Sequence, residues 1–369
     1  MDREFSEAVK ALRAPMCLLV VFIHTSVLDT PLAKLVASKV WDISSVAVPF
    51  FFFVAGYFFF AKVGDKFSFA FYKQQLTKRF WSLVVPYVCW TSVALIFTFA
   101  TMKVFFHGGA CEGLDNALKH NGLVGGVMRC FWGLGVFEEY DNMLGWHCIH
   151  LTPFDGVLWF VRDLIVMCVI SPIVYYAAKY LRGLFLVTTV VFFYTKFWQT
   201  TGFHCNALVF FSLGAYISVH NIHIVETLKR YRWLLLTISF SLWMLPCDDL
   251  PIWASKLLSR SHIPVYMATF FAFAHIFCCD SNVVKRVGDE SFFVYVMHGT
   301  PLVVTNIAAY SYHILAFPYR FVYGDLIQNI YSTIAFLATP IMCIVLCMFA
   351  SNLLNMYAPK VKPLLSGGR

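Results

Sequence analysis

The chain has 369 residues, 60% of them hydrophobic and only 13% charged, and its mean hydropathy is +0.70. A soluble domain carries about a quarter charged residues, so this composition excludes a water-soluble enzyme, a disordered chain and a small disulfide scaffold. The formal charge of +8 is read first as topology, because Lys and Arg placement orients a membrane chain.

A hydrocarbon core of about 30 Å takes roughly 20 apolar helical residues to cross. In chain order, stretches near 12–28, 43–61, 80–101, 157–178, 184–198, 205–220, 233–247, 262–279, 291–309 and 329–351 answer to that description. None alternates apolar with polar residues as a transmembrane barrel requires, and a helix satisfies its own backbone in lipid. The expected fold is an all-α polytopic integral membrane protein of about ten transmembrane helices. It is read as one domain over residues 1–369, with both termini cytoplasmic. With that orientation 18 of the 28 Lys and Arg fall on the inner side, as the positive-inside rule asks. Trp41, Trp159, Trp198 and Trp253 mark outer ends, and Trp81 and Trp233 mark inner ones. The first stretch follows Arg3, Lys10 and Arg13 without a clean small-x-small cleavage site, so it reads as an uncleaved helix.

Residues 102–156 form the long extracytoplasmic loop and hold ten of the 20 glycines. A loop of this length is usually functional, and 123–136 is apolar enough to dip back toward the membrane. The 12 cysteines are dispersed. Cys111, Cys130 and Cys148 share the outer loop, with Cys205 and Cys247 on the same face, so a disulfide has candidates but no assigned pairing. His147-Cys148-Ile149-His150 with Glu138 and Glu139 matches no standard metal-ligand spacing, and no metal is expected.

Ionisable side chains inside a span are costly and point to function. His24 lies 11 residues beyond Arg13, about 16 Å along a helix. His298 lies about 10 Å beyond Ser291 on the same rise. Arg162 enters from the opposite side with Asp163. His275 has no partner signal and reads as a packed histidine. The loop 62–79 carries Lys62, Lys66, Lys73, Lys78 and Arg79. This cluster is sufficient as a topology signal and also suits a phosphate-bearing ligand.

Six motifs in register carry a resemblance. They are Arg13 to His24 with ten intervening residues, Pro49-Phe50-Phe51-Phe52-Phe53-Val54-Ala55-Gly56-Tyr57, and Lys78-Arg79 followed by Pro86-Tyr87. The others are Leu158-Trp159-Phe160-Val161-Arg162, Phe210-Phe211-Ser212-Leu213-Gly214, and Ser291 to His298 with Tyr295 between. Together they resemble the membrane-bound acyltransferase family 3, whose bacterial members acylate glycan hydroxyls. One departure is that Ser82 stands where many members carry a second arginine after the one matched by Arg79. The resemblance implies acetyl-CoA or another acyl-CoA as donor, a cell-surface glycan or lipid-linked sugar as acceptor, and residence in the bacterial cytoplasmic membrane. It implies His24 as general base, and Arg162 and His298 as further catalytic residues. Arg13, Lys73, Lys78 and Arg79 are then the cations facing the donor phosphates. A transporter or exporter of lipid-linked sugars would also fit many spans and intramembrane histidines, although the chain shows no pair of related halves.

Overall fold

The computed structural model describes residues 2–63, 67–105, 112–142, 145–245, 251–278, 281–301 and 306–368. In chain order the elements are α1 (Arg3–Ile23), α2 (Pro31–Ser44), α3 (Ala47–Phe60), α4 (Phe69–Arg79), a π-helical turn (Phe80–Val84), α5 (Val85–Phe105) and α6 (Glu112–Trp132). A hairpin of β1 (Gly135–Asp141) and β2 (His147–Thr152) follows. Next come α7 (Trp159–Val169), α8 (Ser171–Leu181), α9 (Gly183–Thr195), α10 (Cys205–Val219), α11 (Ile224–Arg230), α12 (Arg232–Met244) and α13 (Ile252–Ala272). The chain closes with α14 (Asn282–Asp289), α15 (Ser291–Gly299), α16 (Ile307–Ala316), α17 (Asp325–Tyr357) and α18 (Lys362–Ser366).

Among the described residues three helical segments are long and apolar enough to cross a membrane, namely Pro31–Phe60, Phe69–Thr98 and Asp325–Tyr357. Two bent pairs raise the number to five: α7 with α8 (62°) and α10 with α11 (101°). The expected stretches 184–198 and 233–247 are helices of 13 residues, each about 20 Å long at 1.5 Å per residue. The stretch 291–309 is not one helix. It stops at Gly299, because Thr300 is followed by Pro301, which cannot continue the hydrogen-bond ladder. The chain is mostly helical, as an all-α membrane protein should be, and within 102–156 it also carries a short hairpin. Val136, Phe137, Tyr140, Ile149 and Thr152 favour strands, and β1 pairs antiparallel with β2, with an irregularity between Val136 and Glu138.

The helices fall into two compact units. The first comprises Met1–Phe51, Asn221–His298 and Ile307–Ala350. Its α1 begins on the Asp2 carboxylate, which accepts from the amides of Glu4 (2.9 Å) and Phe5 (3.3 Å), occupying donors that a helix start leaves orphaned. Phe5, Leu12, Met16 and Val21 of α1 are buried, and Phe5 stacks on Phe271 at 5.4 Å. The Trp41 indole of α2 donates to the Phe22 carbonyl at 2.9 Å and so ties α2 to the end of α1.

The second unit comprises Phe52–His220, Gly299–Asn306 and Ser351–Arg369. Here α3 and α10 meet backbone to backbone. A Cβ on Gly56 would overlap the Phe211 carbonyl, and one on Gly214 would overlap the Phe53 carbonyl. Two glycines that the sequence places in separate motifs are thus the two sides of one close helix crossing, the small-residue contact common between membrane helices. Phe59, Phe60, Phe67 and Tyr175 pack around this crossing.

Candidate active site

In the first unit α1 and α15 bring His24 and His298 together. Their ring centroids lie 5.1 Å apart. His24 caps the C-terminus of α1 and is exposed, whereas His298 is fully buried. The His298 Nδ1 donates to the helix carbonyls of Tyr295 (2.6 Å) and Val294 (3.2 Å). Since a carbonyl only accepts, the proton of neutral His298 sits on Nδ1 and Nε2 carries a lone pair. That Nε2 has no hydrogen-bond partner among the described residues. The pair therefore combines an accessible imidazole with a buried one whose tautomer is held by its own helix.

A second buried imidazole in this unit escaped the sequence reading. His262 on α13 donates through Nδ1 to Asp42 Oδ1 (2.8 Å), and the Tyr266 hydroxyl donates to Asp42 Oδ2 (2.8 Å). The only hint was Asp42 itself, a carboxylate at the edge of the stretch 43–61.

In the second unit Arg162 and Asp163 are buried to 2% and 0% exposure at the start of α7. Arg162 Nε and Nη2 both donate to Asp163 Oδ1, at 2.9 and 2.8 Å. Its Nη1 donates to the carbonyls of Trp132 and Leu151, and Nη2 also reaches His150 Nε2 at 2.9 Å. A guanidinium has five N–H groups; four are bonded to oxygen acceptors inside the protein, and the fifth faces His150 Nε2. Asp163 Oδ2 accepts the His204 amide at 2.9 Å and lies 3.0 Å from His150 Nε2. The network continues through His204 Nε2 to Glu138 Oε2 at 3.5 Å, and Glu138 also pairs with Lys196 and Gln199. Burial holds the His204 imidazole down at about 3, reinforced by the His150 ring and opposed by Asp163. His204 is thus neutral, and its Nδ1 is free to accept the Asn206 amide at 3.1 Å. The geometry makes Arg162 a clamp between the hairpin and α7.

Asp155 lies just ahead of this span and is fully buried. Its Oδ2 accepts the Thr300 hydroxyl at 2.6 Å. Burial pushes this carboxyl up to about 7, against the opposing pull of the Thr300 hydroxyl and the Val157 backbone. Gly299 is pressed against Val157 so closely that a Cβ would overlap the valine side chain. Within the second unit, Gly299 and Thr300 are therefore fixed by Val157 and Asp155.

The family model described as an acyltransferase domain matches residues 6–351, nearly the whole chain. The chain belongs to acyltransferase family 3. Comparison with curated proteins and with solved structures returned no match. With its apolar helices, this family member is a membrane acyltransferase. The comparisons give no support to the transporter alternative.

The expected donor-side cations of this acyltransferase are dispersed. Arg13 is half-buried on α1, where Gly288 of α14 packs against its Cβ. Lys73, Lys78 and Arg79 share α4, yet at 100° per residue Lys73 and Lys78 point about 140° apart, so the three do not form one face. Arg79 alone lines a cavity of about 480 Å³, with Phe80, Trp81, Val84, Ile165 and Cys168. The π-helical turn Phe80–Val84 begins directly after it, and such turns are frequent at functional sites. Glu138 and His150 were noticed in the sequence only as metal-like neighbours, and no spacing rule connects them to Arg162, His204 or Asp163. Cys111 and Cys247 lie outside the described residues. Among the described residues no three His, Cys, Asp or Glu side chains converge as metal ligands.

Proposed function

We propose that this membrane acyltransferase moves an acetyl or related acyl group from acyl-CoA to a hydroxyl of a cell-surface glycan or its lipid-linked precursor, at the bacterial cytoplasmic membrane. The observation that carries this reading is the His24–His298 pair, an accessible imidazole 5.1 Å from a buried one whose Nε2 lone pair has no partner among the described residues. Thioester-to-alcohol transfer needs a base for the hydroxyl, and a neutral imidazole is suited to that task. In the direct route His24 takes the acceptor proton as the oxygen attacks the thioester carbonyl. The tetrahedral intermediate collapses, the C–S bond breaks, and the CoA thiolate recovers the proton from the imidazolium. In the relay route the acyl group rests on His24 before the hydroxyl removes it. His298 Nε2 accepts a hydrogen bond from whichever N–H or O–H is delivered next to it. Arg79 is placed to meet a donor phosphate at the mouth of its cavity. Arg13, Lys73 and Lys78 add positive potential, and Arg162 positions α7 and the hairpin.

The test is release of free thiol from acetyl-CoA by purified protein supplied with a glycan acceptor. Thiol release that needs the acceptor and is lost in His24→Ala supports the reading. Full acceptor-dependent turnover in His24→Ala removes His24 from the mechanism. Trapping of an acylated His24 peptide selects the relay, and an unmodified His24 throughout turnover selects direct transfer. Arg79→Ala is expected to raise the donor concentration required, and an unchanged donor dependence would reject the phosphate role.

A further inference from the structure

The first unit has a lateral groove of about 460 Å³ between α12 and α13, lined mainly by apolar side chains. Trp233, Leu236, Phe240 and Trp243 line one wall. Their spacing of three, four and three residues keeps them on one face of α12. Phe270 and Phe273 contribute to the opposite wall. The floor's two hydroxyls satisfy each other, since Ser239 Oγ lies 2.7 Å from Thr269 Oγ1 and Thr269 donates on to the Val265 carbonyl at 2.9 Å. Trp233 and Phe240 are 65% and 55% exposed, so the groove opens sideways. From Trp233 to Trp243 is ten residues, about 15 Å along the helix, which is half of a hydrocarbon core of about 30 Å. The groove thus has the length of one leaflet.

Its two ends differ in charge. At the Trp243 end the Lys39 ammonium is opposed by the Asp42 carboxylate and its Nζ donates to the Trp243 carbonyl at 2.6 Å, while Tyr266 is committed to Asp42. At the Trp233 end Arg230 and Arg232 lie 5.9 and 5.6 Å from the rings of Tyr231 and Trp233. Neither forms an ion pair among the described residues, whereas the adjacent Lys229 is paired with Glu4. A hydrocarbon slot one leaflet long, with two uncompensated guanidiniums at one end only, complements a lipid with an anionic head. We infer that the groove holds one acyl chain of an anionic phospholipid, with its phosphate at Arg230 and Arg232.

Native mass spectrometry of the full-length protein in mild detergent tests this, titrated with phosphatidylglycerol and with phosphatidylcholine of equal chain length. One phosphatidylglycerol is expected to be retained at lower concentration than phosphatidylcholine. Arg230→Gln and Arg232→Gln should each weaken phosphatidylglycerol retention about fivefold and leave phosphatidylcholine unchanged. Leu236→Trp fills the slot and should abolish retention of both. Equal retention of the two lipids, or undiminished retention in Leu236→Trp, overturns the inference. Photocrosslinking of the unmodified protein with a diazirine-tailed phosphatidylglycerol needs no variant. Labels concentrated within 233–243 and 266–277 support the site, and labels spread over α9 and α17 reject it.

Discussion

Replacing Asp163 by Asn tests whether Arg162 is a structural clamp. The substitution keeps the shape of the side chain and removes its charge. Asp163 Oδ1 accepts two Arg162 N–H groups, and Oδ2 accepts the His204 amide. An amide has one acceptor oxygen, so its NH₂ must face donors on one side or the other. Arg162 would be left buried without its counter-ion. Breaking a buried pair by removing one partner costs about 3–5 kcal/mol, a large share of the roughly 5–15 kcal/mol that holds a typical domain folded. At about 2 °C or more per kcal/mol, the apparent melting temperature in detergent should fall by at least about 6 °C. Tryptophan fluorescence at a fixed scan rate would follow it. Glu7→Gln is the control, because its pair with Arg3 is largely exposed, at 56% and 91%, and solvent screening leaves little to lose. The double variant Arg162→Met with Asp163→Leu should recover part of the loss, since no charge is then stranded. If Asp163→Asn melts with Glu7→Gln, Arg162 is not held as argued, and its guanidinium is available for chemistry.

Three further outcomes follow from the same geometry. His24→Ala and His298→Ala should each lower acyl transfer by about 100-fold or more at unchanged membrane abundance, measured as acceptor-dependent thiol release, and near-normal rates in either would exclude that residue. Asp155 holds its proton up to about pH 7 when folded and sheds it near 3.9 when unfolded. The folded chain therefore binds the extra proton in that window, and this group's contribution falls as pH rises from about 4 to 7, by up to about 4 kcal/mol. Asp155→Asn should flatten that dependence, and parallel stability profiles for the two proteins between pH 5 and pH 8 would contradict the burial argument. Gly214→Ala places a Cβ inside the Phe53 carbonyl, so α3 and α10 must separate at a cost of about 1–3 kcal/mol, and a thermal shift near zero would show that the crossing is looser than described.

Side-chain chemistry alone determined the membrane character, the helical make-up, and the offset that puts His24 eleven residues beyond Arg13 on one helix. Those properties are local, because hydropathy and a 1.5 Å rise need no partner. The motif order also led to the family, which the match over 6–351 bears out. Single-helix periodicity could not foresee the hairpin, since a strand pair exists only through its cross-strand partner. Nor could it show what surrounds the Arg162 guanidinium, because that depends on the carbonyls of Trp132 and Leu151 and on His150, 11 to 30 residues away. His24 and His298 are 274 positions apart, and only packing of α1 with α15 sets their rings 5.1 Å from each other. Gly56 and Gly214 likewise acquired meaning together, because a missing Cβ matters only where another backbone comes close enough to need the space.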